Sequence, residues 1–168
     1  MPATEQVVSA KQQFLDAYER EHKTTVKVLR AFPQEQADLR PAPKLKTARE
    51  LAWIFVGERG LGLTVMQRKP LGGSLPPVPE SFDEIIAALE KAHKDFGDLI
   101  RSYSDEELQE NVTFFVAPKT PGEYTRLAFA WFLLCDQIHH RGQFSVYLRM
   151  ADGKVPSIYG PTGDEPWF

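Results

Sequence analysis

Cysteine is almost missing from this sequence. Cys135 stands alone, so the chain cannot close an internal disulfide, which suits a reducing cytoplasm. A basic surplus is missing too. Lysine and arginine number 20 against 23 acidic residues, a formal net charge of -3. That balance builds no cationic field for a phosphate backbone, so nucleic acid is not an expected partner. The most apolar window, Leu127 to Cys135, is far too short to span a bilayer. Met1 to Ser9 lack the basic-then-apolar order of a secretion signal. No membrane partner is expected, and the cytoplasm is the default location. Repeats, low-complexity tracts and a Ser-His-Asp constellation are likewise lacking, and Leu71-Gly-Gly-Ser is too short to count as a phosphate loop.

What is present is an ordinary globular composition. The 168 residues are 42% hydrophobic and 26% charged, enough for one domain, residues 1–168, with a sizeable core. Apolar residues follow the helical period in four stretches. The first runs from about Thr4 to Phe32, with Val7, Phe14, Ala17, Tyr18, Val28 and Leu29 on one stripe, and Pro33 ends it. The second opens at Thr47-Ala-Arg-Glu50, the spacing of a reciprocal capping box, and continues to about Arg68. Within it Gly57, Gly60 and Gly62 leave room for a neighbouring helix or a kink. The third begins at Ser81-Phe-Asp-Glu84, another capping box, and reaches Tyr103. For the fourth, Thr120 is placed as the cap, Pro121 at the first helical position and Glu123 two residues on, with an end near Ala151.

Residues 33–46 form a stiff proline-containing connector, and residues 69–80 form a proline-rich loop, either a crossover or a lid over the bundle mouth. The β-prone run Asn111 to Val116 is a short extended segment, and the tail from Val155 to Phe168 is irregular and wraps back over the surface. The fold class is therefore all-α, an antiparallel four-helix bundle.

Single side chains carry further expectations. Cys135 lies in an apolar stretch and reads as core. His22 and His93, set among charged neighbours, read as surface residues. Trp53 and Tyr147 either line a pocket or fill the core. The chemically suggestive pair is Asp136 and His140, four residues apart and so on one face of the last helix. A carboxylate and an imidazole so spaced offer two ligands to a divalent metal, and a third must come from another helix. His139 points about 100° away around the helix and should pack at an interhelical contact. Arg141 and Gln143 should make structural hydrogen bonds to acidic groups on the first or second helix.

Two segments carry a family resemblance. Thr47-Ala-Arg-Glu-Leu-Ala-Trp-Ile-Phe-Val-Gly-Glu58 and Asp136-Gln-Ile-His-His-Arg-Gly-Gln-Phe-Ser-Val-Tyr-Leu-Arg149 resemble the signature segments of the DinB-like superfamily. The ending Ser157-Ile-Tyr-Gly-Pro161 with Asp164-Glu165 resembles a tail of that family. The resemblance implies a four-helix bundle, often a homodimer, with a divalent metal held by three histidines, one from the second helix and two from the fourth. Some such proteins are transferases or isomerases that use a small thiol.

Carried over residue by residue, His140 matches the last histidine, Asp136 stands where the first of the pair is usual, and Ile54 occupies the expected third-ligand position. This points to a degraded divalent-metal site with no metal held tightly, beside a cavity between helices two and four that can take a small molecule. Ile54 then fills the metal position with hydrocarbon while Asp136 and His140 satisfy one another. The alternative is a rebuilt site. Glu58 lies one turn beyond Ile54 on the same face, and with Asp136 and His140 it makes a carboxylate-rich set for Zn, Ni, Mn or Fe serving an enzyme of the thiol-transferase or hydrolase type. A third reading is a purely structural dimer with no small-molecule site.

Overall fold

In a computed structural model, described for residues 8–72 and 76–168, four long helices carry the architecture. These are α1 (Ala10–Arg30), α2 (Ala48–Met66), α3 (Phe82–Ser102) and α5 (Arg126–Met150). Between α3 and α5 lie a one-turn helix α4 (Asp105–Gln109) and a hairpin of β1 (Asn111–Ala117) and β2 (Thr120–Thr125). Ser9 caps α1 by accepting from Gln12 N at 3.1 Å; the expected start at Thr4 and the stripe residue Val7 lie outside the described residues. Both capping boxes form, Thr47 with Glu50 and Ser81 with Glu84, so two orphan amides are satisfied at each helix start.

The core divides along the bundle. One cluster joins Val28 and Leu29 of α1, Ala52 and Phe55 of α2, Ile85 and Leu89 of α3, and Phe144 and Leu148 of α5. The other joins Phe14 and Tyr18, Val65 and Met66, Phe96 and Ile100, and Phe129 and Leu133 of the same helices. The end of α1 therefore meets the starts of α2 and α3 and the end of α5: α1 and α5 run one way, α2 and α3 the other. α2 packs on α3 and α5, and so does α1. Gly62 lets these helices close up, since a Cβ there would sit 2.6 Å from the Phe96 ring and 3.0 Å from Leu133.

Because α2 and α3 run in the same direction, their connection must travel the bundle's length. Residues 67–72 and 76–81 belong to this crossover, pinned where Trp53 Nε1 donates to Pro76 O at 3.0 Å. Trp53 and Tyr147 both belong to the core.

The start of the last helix differs from expectation. Thr120 and Pro121 do not begin α5; they belong to β2, where Pro121 pairs with Phe115 and Tyr124 with Val112. The Phe-rich β1 needs a partner strand, and Lys119, with φ 58°, turns the chain to supply one. The α5 cap is Thr125, which accepts from Ala128 N at 3.1 Å. Cys135 is exposed rather than core, because Leu133, Leu134 and Gln137 take the inward positions of that turn.

The tail does wrap back. Tyr159 Oη donates to Glu21 Oε2 at 2.6 Å, and Arg141 Nη2 donates to the same oxygen at 2.7 Å. Arg141 Nη1 donates to Glu21 O at 3.1 Å. The expected partner of Arg141 on the first helix is thus Glu21. Burial opposes ionisation of Glu21, but these two donors hold it below the ordinary carboxylate range.

His93 is buried and His22 half-buried, rather than both at the surface. Their rings stack at 3.7 Å, and His93 stacks in turn on Tyr18 at 4.1 Å. Of their charged sequence neighbours, Lys23, Lys91 and Lys94 sit around the helix from them and reach solvent instead, while Glu21 is itself buried. Burial pushes His22 down to about 3 and His93 to about 4.

Candidate metal centre

Glu58 leaves α2 toward α5, where Asp136 and His140 project side by side one turn apart. His140 Nε2 lies 3.3 Å from Glu58 Oε1 and 3.7 Å from Asp136 Oδ2. One donor atom from each of the three falls within 4.8 Å of the others, the only such group of acidic, histidine or cysteine side chains among the described residues. The rebuilt set read from the sequence is therefore brought together in space.

The environment is uneven. Glu58 is 7% exposed, while Asp136 faces outward with 40% of its side chain accessible. Both Glu58 carboxylate oxygens are buried without a hydrogen-bond partner among the described residues. Buried polar atoms are nearly always partnered, so two orphan oxygens aimed at one imidazole and one carboxylate need a reason. Burial, reinforced by the neighbouring charge of Asp136, pushes the Glu58 carboxyl up to about 9.

His140 is set from its other side. Its Nδ1 lies 3.3 Å from Gln143 Oε1, and Gln143 Nε2 lies 2.8 Å from His139 Nε2. The pattern assigns the proton of His140 to Nδ1, donated to the Gln143 oxygen, which turns the Nε2 lone pair toward Glu58 and Asp136. Sequence reading missed this relay. His139 is exposed, not packed between helices, and Gln143 partners the two histidines rather than an acidic group. The signal available was the i,i+3 and i,i+4 spacing within His139-His140-Arg-Gly-Gln143.

Ile54 lies one turn before Glu58, half-buried, and offers only hydrocarbon. It lines a cleft of about 640 Å³ together with Glu58, Leu61, Leu71, Phe114 and Phe115, within the usual range for small-molecule sites. The crossover thus forms a wall of this cleft. Whether residues 73–75, part of the loop read as crossover or lid, contribute lies outside the described residues.

The sequence profile of the DinB superfamily matches residues 17–144. This chain belongs to the DinB superfamily. An uncharacterized Bacillus subtilis (strain 168) protein, YrdA, is 29% identical over 157 residues, covering 90% of this chain and 89% of YrdA. The crystal structure of a DinB-like protein from Bacillus cereus ATCC 10987 is 28% identical with a TM-score of 0.74, covering 87% of this chain and 95% of that one. A second DinB-like protein, YjoA of Bacillus subtilis, shares the fold at 14% identity with a TM-score of 0.69, over 93% of this chain and 99% of its own. The family's bundle accounts for the architecture, and no helix among the described residues is long and apolar enough to cross a membrane.

The residues present fit a divalent cation. Two carboxylates and one imidazole supply three ligands of suitable type, the Glu58 oxygens have no hydrogen-bond partner among the described residues, and Gln143 holds the ring as an outer partner of a ligating histidine would.

Proposed function

We propose that this DinB-superfamily protein binds one divalent cation through Glu58, Asp136 and His140 and uses it on a small molecule held in the adjoining cleft. The observation that carries this reading is the pair of unpartnered Glu58 oxygens, buried yet facing two further ligand side chains. Three ligands leave coordination positions open, the arrangement of a working site rather than a closed structural one. With two carboxylates and no thiolate, the set favours Mn or Fe, with Zn and Ni as competitors. When bound, such an ion supplies Lewis acidity toward a donor group of the small molecule. The chain's own part is to exclude water on the α2 side, through Ile54 and Leu61, and to hold His140 through Gln143. Thiol-transfer or hydrolytic activity, which the resemblance implies, would draw on this arrangement.

The test is uptake by chelator-stripped protein of Mn, Fe, Ni or Zn. One ion per chain is expected, lost in Glu58→Gln and in His140→Gln. The second reading, a family site that has lost its metal, rests on the contacts His140 already makes with Glu58 and Asp136. Stoichiometric uptake of none of the four metals would establish it instead.

A second copy of the chain is the proposed macromolecular partner. Trp131, Phe132, Val146 and Met150 are 37–58% exposed and share the outward side of α5, where a Cβ at Gly142 would meet nothing. Light scattering should give twice the chain mass, and Val146→Glu should return it to the monomer value. A wild-type mass of one chain would remove the proposal.

A further inference from the structure

The cleft beside Glu58 is more apolar than a metal centre alone requires. Ile54 and Leu61 of α2, Leu71 of the crossover, and Phe114 and Phe115 of β1 form its walls. Leu71 and Phe115 stand 48% and 47% exposed, so apolar surface is left uncovered on two separate elements that face one opening. Polar groups are few. Thr64 donates its hydroxyl to Gly60 O at 2.9 Å, within its own helix. Glu58 is the one ionisable side chain in the lining among the described residues. It is also more than nine-tenths buried and has no partner for either oxygen. Ile54, standing where the family resemblance puts a histidine, adds hydrocarbon to this wall.

Charge then decides what such a cleft can take. An anionic ligand would bury its charge against apolar walls, with no lysine, arginine or histidine among the described lining residues to receive it, and burying an unpaired charge is costly. A cationic ligand would compete with the metal for Glu58. Glu58 and Asp136 would together offset the charge of a bound dication. The ligand needs no charge of its own.

We propose that the cleft binds an uncharged small molecule whose alkyl or aryl body lies along Leu61, Phe114 and Phe115 and whose single neutral donor group, a hydroxyl, carbonyl or amide, reaches the Glu58 end. This rests on the metal reading for the donor end only; the apolar body is argued from the walls. Replacement of a histidine by Ile54 then changes what the site accepts as well as how it holds metal.

The experiment is calorimetric titration of the full chain, metal-stripped and Zn-loaded, with 1-alkanols from butanol to octanol. Alkanoates and alkylammonium ions of the same lengths serve as comparison. Alkanol affinity is expected to rise roughly fourfold per methylene, with alkanoates about tenfold weaker at equal length. Gly60→Trp projects its ring from the cleft wall into open space and should cut 1-octanol affinity at least about tenfold, as the loss of a contact area of several methylenes implies. Its melting temperature and metal uptake should stay unchanged. Phe115→Ser, on a different element, should cut affinity by roughly threefold to tenfold. Alkanoates binding as well as alkanols, affinity indifferent to chain length, or Gly60→Trp binding normally would each overturn the proposal. Length-dependent alkanol binding by a protein that takes up no metal would keep the cleft and remove the metal reading. Metal uptake without alkanol binding would do the reverse.

Discussion

Two glutamates in this bundle are withdrawn from water to almost the same degree, Glu21 at 5% and Glu58 at 7% exposure, yet their surroundings differ in kind. Glu21 accepts from Arg141 and from Tyr159 and is held below the usual carboxylate range. Glu58 accepts from nothing among the described residues and is pushed up to about 9, chiefly by burial. The two partners from α5 are consecutive: Arg141 turns to Glu21 and His140 to Glu58. A buried carboxylate completed by its own chain is a clamp, here fastening the tail to α1. One left incomplete beside two more ligands is a socket.

The comparison can be broken first at the clamp. Arg141→Met leaves buried Glu21 without its closest cation, only Arg20 remaining at 3.5 Å, and should cost about 3 kcal/mol. In a chain of this size the melting temperature should then fall on the order of 10 °C, while the folded fraction still takes up metal. An unchanged melting temperature would mean that Tyr159 and Arg20 suffice for Glu21.

At the socket the expected effects are reversed. Glu58→Gln should leave the stability of the metal-free protein within about 1 kcal/mol of wild type, since no partnered contact is lost. It should abolish stabilisation by metal, which for the wild type reaches about 2.7 kcal/mol at a hundredfold excess over the dissociation constant. Thermal melts with and without Mn separate these outcomes. A large loss of metal-free stability would place Glu58 with the clamps.

Burial also sets the pH response, outweighing for His93 the Glu19 carboxylate 3.1 Å from its Nε2. His22 and His93 are held neutral, with folded values of about 3 and about 4 against 6.5 for the free side chain. Their contribution is therefore fully present above pH 6.5 and is lost as pH falls from there toward 4 and 3. Glu21, depressed when folded, adds a loss below its ordinary value near 4.5. Melting temperature should decline from just below pH 6.5, and His22→Phe, which keeps a ring in the stack, should shallow that decline. An acid limb beginning only below pH 4.5 would contradict the assignment of the stack.

The smallest effects belong to the relay behind His140. Gln143→Leu should weaken metal affinity by about tenfold, the lower range for an outer partner of a ligating histidine. His139→Ala, one step farther out, should change affinity by less and stability by no more than about 0.5 kcal/mol. Equal effects from both variants would show that Gln143 does not act on the ring.

Much of the fold was legible because local chemistry and tertiary packing agree. Thr47-x-x-Glu50 and Ser81-x-x-Glu84 mark helix starts that form as capping boxes, and Phe14, Tyr18, Val28 and Leu29 are buried as their stripe requires. The start of α5 was not legible, because Thr120-Pro121-Gly-Glu123 satisfies a cap pattern while its backbone is recruited to pair with β1. Cys135 lies outside the core for a different reason. α5 carries apolar residues on its outer side as well, so periodicity does not say which side is inside. At the site, Asp136 and His140 were readable from i,i+4 spacing and Glu58 from its place one turn past Ile54. The orphan state of Glu58 and the orientation of Gln143 depend on side-chain rotamers and neighbours from other elements, which no spacing encodes.

The most direct measurement is anomalous diffraction from crystals of the stripped protein soaked in Mn, collected at the Mn absorption edge. The account predicts one strong peak per chain with Glu58, Asp136 and His140 donor atoms at about 2.0–2.2 Å, ordinary lengths for carboxylate and imidazole ligands to a divalent transition metal. Water or hydrocarbon density between those three side chains, with no anomalous signal, would contradict it.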